Sequence, residues 1–195
     1  MGLFVRQYNN KGMDSLEIVA IRAMVTVLCM FVFLLCGHRE LLKIQLKDLW
    51  CFIGNGLLSV LFFNLCYFKA MTMTSLSVAA VLLYTAPTIV MLLSRVFFKE
   101  KLTKVKLLSV LFTFVGCVLV TGVIGSDAVL SGAGILVGLG AGFGYALYSI
   151  FCRFALERGY HSFTISFYTF VFTMLGCIPL VDLSGIGGVV FSGWQ

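Results

Sequence analysis

Charge is scarce in this chain, and the places it avoids are informative. Asp, Glu, Lys and Arg make up 11% of 195 residues. No acid lies deep in an apolar stretch, so nucleophilic hydrolysis there would have no base. Histidine is nearly missing: His38 and His161 are the two present, and both fall in connections between apolar stretches. Membrane metalloproteases and desaturases need clustered histidines in or beside their helices, so that chemistry is excluded. The seven cysteines, Cys29, Cys36, Cys51, Cys66, Cys117, Cys152 and Cys177, are scattered and form no Cys-x-x-Cys pair. A disulfide framework or zinc site does not fit them, and they read as small apolar side chains. There is no basic patch interleaved with aromatics outside the apolar stretches, so no nucleic-acid partner is expected. There is no nucleotide-binding loop either. The chain reads as a non-enzyme, with no catalytic residue, no metal and no cofactor.

What is present is apolar surface. Hydrophobic residues make up 61% of the chain, and the mean hydropathy is +1.07. A soluble domain of this size could not bury so much. Six stretches, 17–36, 49–69, 76–98, 105–123, 133–155 and 163–181, are long enough to cross a bilayer as helices, which takes about 20 residues each. None alternates with the period-two pattern of a barrel strand. In hydrocarbon every backbone N–H and C=O needs an internal partner, which leaves the helix. The expected fold class is an all-α polytopic membrane protein embedded in a lipid bilayer.

The basic residues orient it. Segments 37–48 and 95–106, with the connection that carries Arg153 and Arg158, hold ten of the 14 basic residues. The positive-inside rule places these connections in the cytoplasm. The net charge of +6 is then an orientation signal.

The chain also partly matches itself. Shifted by 147 residues, Phe4, Arg6, Gly12, Ser15, Ile18, Thr26 and Leu28 fall on Phe151, Arg153, Gly159, Ser162, Ile165, Thr173 and Leu175. Five apolar stretches fit within one period. A membrane repeat with an odd number of crossings is inverted relative to its copy, a building plan of secondary transporters. The repeat predicts a ten-helix inverted-repeat transporter fold of which about six helices are present. Residues 1–123 would be a first repeat lacking most of its first helix. Residues 124–195 would begin the second repeat with two helices. The other reading is a genuine six-helix protein that starts at Met1.

Polar and helix-breaking residues inside the stretches are the candidate site. Ser77, Tyr84 and Thr88 fall on one helical face. Pro87 cannot donate a hydrogen bond, which predicts a kink that frees the carbonyl of Leu83. The helix either lines a substrate path or is a packing kink satisfied by hydroxyls such as Thr85. Asn55, Ser59 and Cys66 share one face of the preceding helix, while Asn64 and Tyr67 share another. An amide at membrane depth should face the bundle interior, as ligand contact or as interhelical glue. Arg22 and Lys69 sit near one membrane surface, where snorkelling or a carboxylate-bearing solute would explain them. Gly134, Gly138 and Gly142 form a stripe that predicts close helix packing, within the bundle or in a homodimer. Tyr145 could reach a cavity.

One resemblance collects these features. The run Tyr67-Phe68-Lys69-Ala70-Met71-Thr72-Met73-Thr74-Ser75-Leu76-Ser77-Val78-Ala79-Ala80, then Tyr84-Thr85-Ala86-Pro87, then Phe98-Lys99-Glu100-Lys101-Leu102-Thr103, resembles the EamA-type drug/metabolite transporter superfamily. Arg22 matches that family's arginine early in its second helix, and Gly122 the glycine near the end of a later one. Lys99 departs from the glycine that usually precedes the acid. The resemblance implies two five-helix inverted repeats, both termini cytoplasmic, and export or exchange of a solute. The expected function is secondary transport of small polar metabolites, amino-acid-like solutes favoured, by alternating access across a bacterial plasma (inner) membrane. The alternative is a non-transporting membrane scaffold or assembly subunit whose polar residues are only glue.

Overall fold

The structure is a computed structural model that describes residues 15–37, 39–101, 103–121 and 131–180. His38, Leu102 and the segments 1–14, 122–130 and 181–195, including Phe4, Arg6 and Gly12 of the self-match, lie outside the described residues. Each of the six apolar stretches falls on a helix, and there is no strand among the described residues. We number the helices α1 (Ser15–Leu35), α2 (Leu46–Met73), α3 (Leu76–Phe98), α4 (Lys104–Thr121), α5 (Gly132–Glu157) and α6 (Ser162–Cys177). Four of them are long and apolar enough to cross a membrane: α2, α3, α5, and α6 extended by one tight turn to Leu180. The apolar run of α1, Val19–Leu35, is shorter. The chain is an all-α polytopic membrane protein.

The helix ends follow from local chemistry. The Ser75 hydroxyl accepts from the Val78 N–H at 3.2 Å and so starts α3. The Ser131 hydroxyl does the same for the Gly134 N–H at 3.2 Å and starts α5. The far end of α5 closes where Gly159 takes φ +83°, a left-handed conformation that glycine adopts without strain. The Tyr160 N–H then reaches back to the Ala155 carbonyl at 3.2 Å. Lys99, at φ 53°, ends α3 in the same left-handed way without being glycine.

The chain divides into two compact units, neither of which coincides with a sequence repeat. One gathers the described residues up to Leu57 and those from Ala155 onward; the other is Leu58–Phe154. In the first, α1 packs along α6, with Phe31 stacked on Phe167 at 6.1 Å and Phe33 tilted on Phe163 at 5.4 Å. The opposite face of α1, with Met24, Val25, Leu28 and Val32, is exposed, as a lipid-facing surface would be. In the second unit, α3 packs against α4 and against the later part of α2.

Candidate functional site

The second unit is organised around a break in α3. The helix stops at Leu83 and restarts at Ala86, with Tyr84 and Thr85 in a turn between the halves. The Tyr84 N–H bonds to the Ala80 carbonyl at 3.1 Å, and the Thr85 N–H to the Leu82 carbonyl at 3.2 Å. The Thr85 hydroxyl donates to that same Leu82 carbonyl at 2.7 Å. Pro87 therefore stands in the first turn of a new segment, where a missing N–H leaves no gap. The kink expected near Pro87 thus takes the form of a turn between two helical segments of the Leu76–Phe98 span. The chain turns two residues before the proline, and Thr85 serves the Leu82 carbonyl rather than that of Leu83. Thr88 is drawn into the new first turn, its N–H bonding to the Thr85 carbonyl at 3.0 Å.

Glycines of α5 make room for this turn. A Cβ on Gly142 would lie 2.9 Å from the Thr85 hydroxyl and 3.2 Å from the Leu82 carbonyl. One on Gly138 would run into the Leu82 side chain, and one on Gly134 would lie 2.5 Å from the Thr74 methyl. This stripe is thus a seam on which α3 and the end of α2 sit at backbone distance. A second stripe faces α2: a Cβ on Gly144 would stand 3.1 Å from the Phe63 backbone, and one on Gly140 would stand 3.5 Å from the Cys66 sulfur.

Around the break, Tyr84 and Pro87 are exposed, while Ser77, Thr85 and Thr88 are half-buried. Tyr145 is exposed and its ring meets Phe63 edge-on at 5.9 Å, with Phe63 stacked on Tyr67 at 5.5 Å. Asn64 is buried, and its amide donates to the Val60 carbonyl of its own helix at 2.6 Å. Arg22 is exposed on α1 and belongs to the other unit.

The first unit holds a polar layer that the sequence disclosed only in part. Residues Gly54–Leu61 of α2 are wound as a π-helix, a form that recurs at functional sites. Gly56 lets α6 in: a Cβ there would lie 2.6 Å from the Phe172 Cβ and 2.8 Å from the Thr169 carbonyl. Thr173 donates to the Gly56 carbonyl at 3.2 Å and to the Thr169 carbonyl at 2.8 Å. The Asn55 amide donates to the Thr169 hydroxyl at 2.7 Å. Asn55, Thr169 and Thr173 are all buried. Thr169 and Thr173 lie one turn apart on α6; that spacing of hydroxyls in an apolar helix is the signal that could have found them.

Charged residues at the helix ends and in the connections form two further clusters. In the second unit Glu100 pairs with Lys106 at 2.9 Å and with Arg153, whose guanidinium also lies 4.0 Å over the Phe98 ring. The Lys106 ammonium, then the Arg153 guanidinium, donate to the carboxylate and hold Glu100 below the usual carboxylate range. In the first unit Arg158 pairs with Asp48 at 3.0 Å. The Tyr160 hydroxyl donates to Asp48 at 2.8 Å and accepts from the Gln45 N–H at 3.1 Å. Burial pushes the Tyr160 phenol up. No group of residues that could hold a metal ion occurs among those described.

The chain is 29% identical to the uncharacterized transporter YxxF of Bacillus subtilis (strain 168), over 94% of this chain and 58% of that protein. It is 26% identical to an uncharacterized transporter of Archaeoglobus fulgidus, over 96% of this chain and 68% of that protein. A third relative, the uncharacterized transporter YdfC of Bacillus subtilis, is 34% identical over 73% of this chain and 45% of its own length. The chain thus spans about half to two thirds of the length of these relatives. No solved structure matches it. The EamA-like transporter family matches residues 1–122, well over half of the chain, at the stretch that holds α2, the broken α3 and the Glu100 connection. The chain, a multi-pass membrane protein by its helices, therefore belongs to the EamA-like transporter family.

Proposed function

We propose that this chain carries out secondary transport, as export or exchange, of small polar metabolites across the bacterial plasma membrane by alternating access. The observation that carries the reading is the break in α3 seated on the glycine seam of α5. A broken helix is costly in hydrocarbon unless its freed backbone faces protein or a wet path. Transporters place such breaks at their solute sites. Tyr84, Thr85, Pro87 and Thr88 form the break, and Ser77, Asn64 and Tyr145 belong to the helices that frame it. Amino-acid-like solutes are favoured because Arg22 and Lys69 supply cations that suit a carboxylate.

The scaffold reading draws on Asn55 and Thr169, which share a buried hydrogen bond as glue would. Flux separates the two. Vesicles containing the chain and loaded with unlabelled amino acids should accumulate radiolabelled amino acids by counterflow. Tyr84→Ala and Thr88→Ala should lower that flux per folded protein by several-fold, and Val90→Ala should not. If the three variants behave alike, the break only packs and the scaffold reading takes over.

A further inference from the structure

The two repeats read from the sequence meet along both α5 and α6: α6 packs on α1 and α2, and α5 begins the second repeat yet packs on helices of the first. The contacts made by α5 are of two kinds. Along the first part of α5, Gly134, Gly138 and Gly142 lie against Thr74, Leu82 and Thr85 with no room for a methyl group. That seam is close-packed, and its glycines bring no polar side chain from α5. At the other end of α5 the contact is ionic. Arg153 reaches Glu100 in the α3–α4 connection, and five residues later Arg158 reaches Asp48 at the start of α2. Both carboxylates belong to the first repeat and both arginines to the second. Both pairs lie on the side that the basic residues mark as cytoplasmic.

We propose that the glycine seam is a hinge and that Glu100–Arg153 is a releasable clasp between the repeats, closing the cytoplasmic side until the pair exchanges for water. Asp48–Arg158 is a second, more enclosed clasp, its side chains 14% and 36% exposed. This inference rests on the alternating-access reading, in which one repeat rocks against the other. The chemistry at each end fits its task. Packed glycines can pivot while staying in contact, because they carry no side chain to unlock. An ion pair can part cheaply when its groups are open to water: the Glu100 and Arg153 side chains are 32% and 37% exposed. Lys106 stays with Glu100 from within the same repeat and keeps the carboxylate charged when Arg153 leaves. On the other clasp Tyr160 travels with Arg158, so Asp48 loses two partners at once. Phe98 beneath the Arg153 guanidinium, and Trp50 5.0 Å from that of Arg158, give each arginine a seat when closed.

The test measures the distance between spin labels at Lys104 and Leu156 in vesicles. The labels are carried on unnatural residues, so the native cysteines stay in place. The unsubstituted chain should show a closed and an open population, and raising KCl from about 0.05 M to about 1 M should enlarge the open one. Arg153→Gln should enlarge it about two- to fivefold at low salt, the range expected for one exposed pair. Arg153→Lys should largely restore the closed form. Lys106→Gln, which leaves the clasp between repeats intact, should change little. A distance distribution indifferent to salt overturns the clasp without any variant, and so does an equal response to Arg153→Gln and Lys106→Gln. If the distances respond while counterflow is absent, the clasp stands and the transport reading fails. Flux with an unresponsive distance overturns the clasp alone.

Discussion

Adding one methyl group at Gly142 should force the turn in α3 to move. A Cβ there would stand 2.9 Å from the Thr85 hydroxyl, 3.2 Å from the Leu82 carbonyl and 3.6 Å from the Ala86 nitrogen, where ordinary contact begins near 3.4 Å. The hydroxyl cannot easily swing aside, because it donates to Leu82 at 2.7 Å and threonine is stiff at χ1. Overpacking of this kind costs about 1–3 kcal/mol. Replacing glycine by alanine within a helix returns about 0.5–1 kcal/mol through backbone entropy. The two effects oppose each other, so the reference must be a glycine without neighbours. Gly116 in α4 has nothing within 4 Å of its would-be Cβ. Gly142→Ala should therefore be about 1–3 kcal/mol less stable than Gly116→Ala, the entropic gain cancelling between them. In a Thr85→Ala background the obstructing oxygen is gone, and the gap should shrink by about 1 kcal/mol or more, a coupling typical of residues in contact. The assay is unfolding in mixed micelles by increasing fractions of SDS, followed by helical circular dichroism. If Gly142→Ala and Gly116→Ala match, or if Thr85→Ala leaves their difference unchanged, α5 does not hold the turn.

Other outcomes can be checked on the same preparations. Asn55→Val should cost about 1–2 kcal/mol, and adding Thr169→Val should cost little more, since each has lost its partner in the 2.7 Å bond; additive losses in the cycle would count against that bond. The depressed Glu100 titration gives the clasp a signed pH dependence. Its contribution to the closed form is full above the ordinary carboxyl value of 4.5 and is lost as pH falls through the lower folded value, so a closed population that already collapses between pH 8 and 6 would rule out Glu100 as its source. Cysteines introduced at Lys43 and Lys104 should be labelled only from the cytoplasmic side by a membrane-impermeant reagent, and one at Ser126, outside the described residues, from the opposite side. Reversed labelling would refute the topology.

The sequence by itself determined the solvent and the elements. Six apolar stretches of about 20 residues are helices because a bilayer leaves the backbone no other internal partner, and that constraint acts locally. The same local chemistry explains why Ser75 and Gly159 mark helix ends. It pointed to the neighbourhood of Pro87 but not to the turn at Tyr84 and Thr85. That position depends on how closely α5 approaches at Gly142, which lies far along the chain. The polar layer was half legible for the same reason. Asn55 stood out as an amide in an apolar run, whereas its partner Thr169 is 114 residues away and looked like an ordinary helical threonine. The charged connections gave orientation by simple counting, since the positive-inside rule needs no tertiary contact. Only the tertiary structure decided which charges pair. Glu100 had several basic neighbours in sequence, and the fold gave it Lys106 nearby and Arg153 from 53 residues away. An ion pair is chosen by where helices place their ends, and that placement is set by packing between segments distant in the chain.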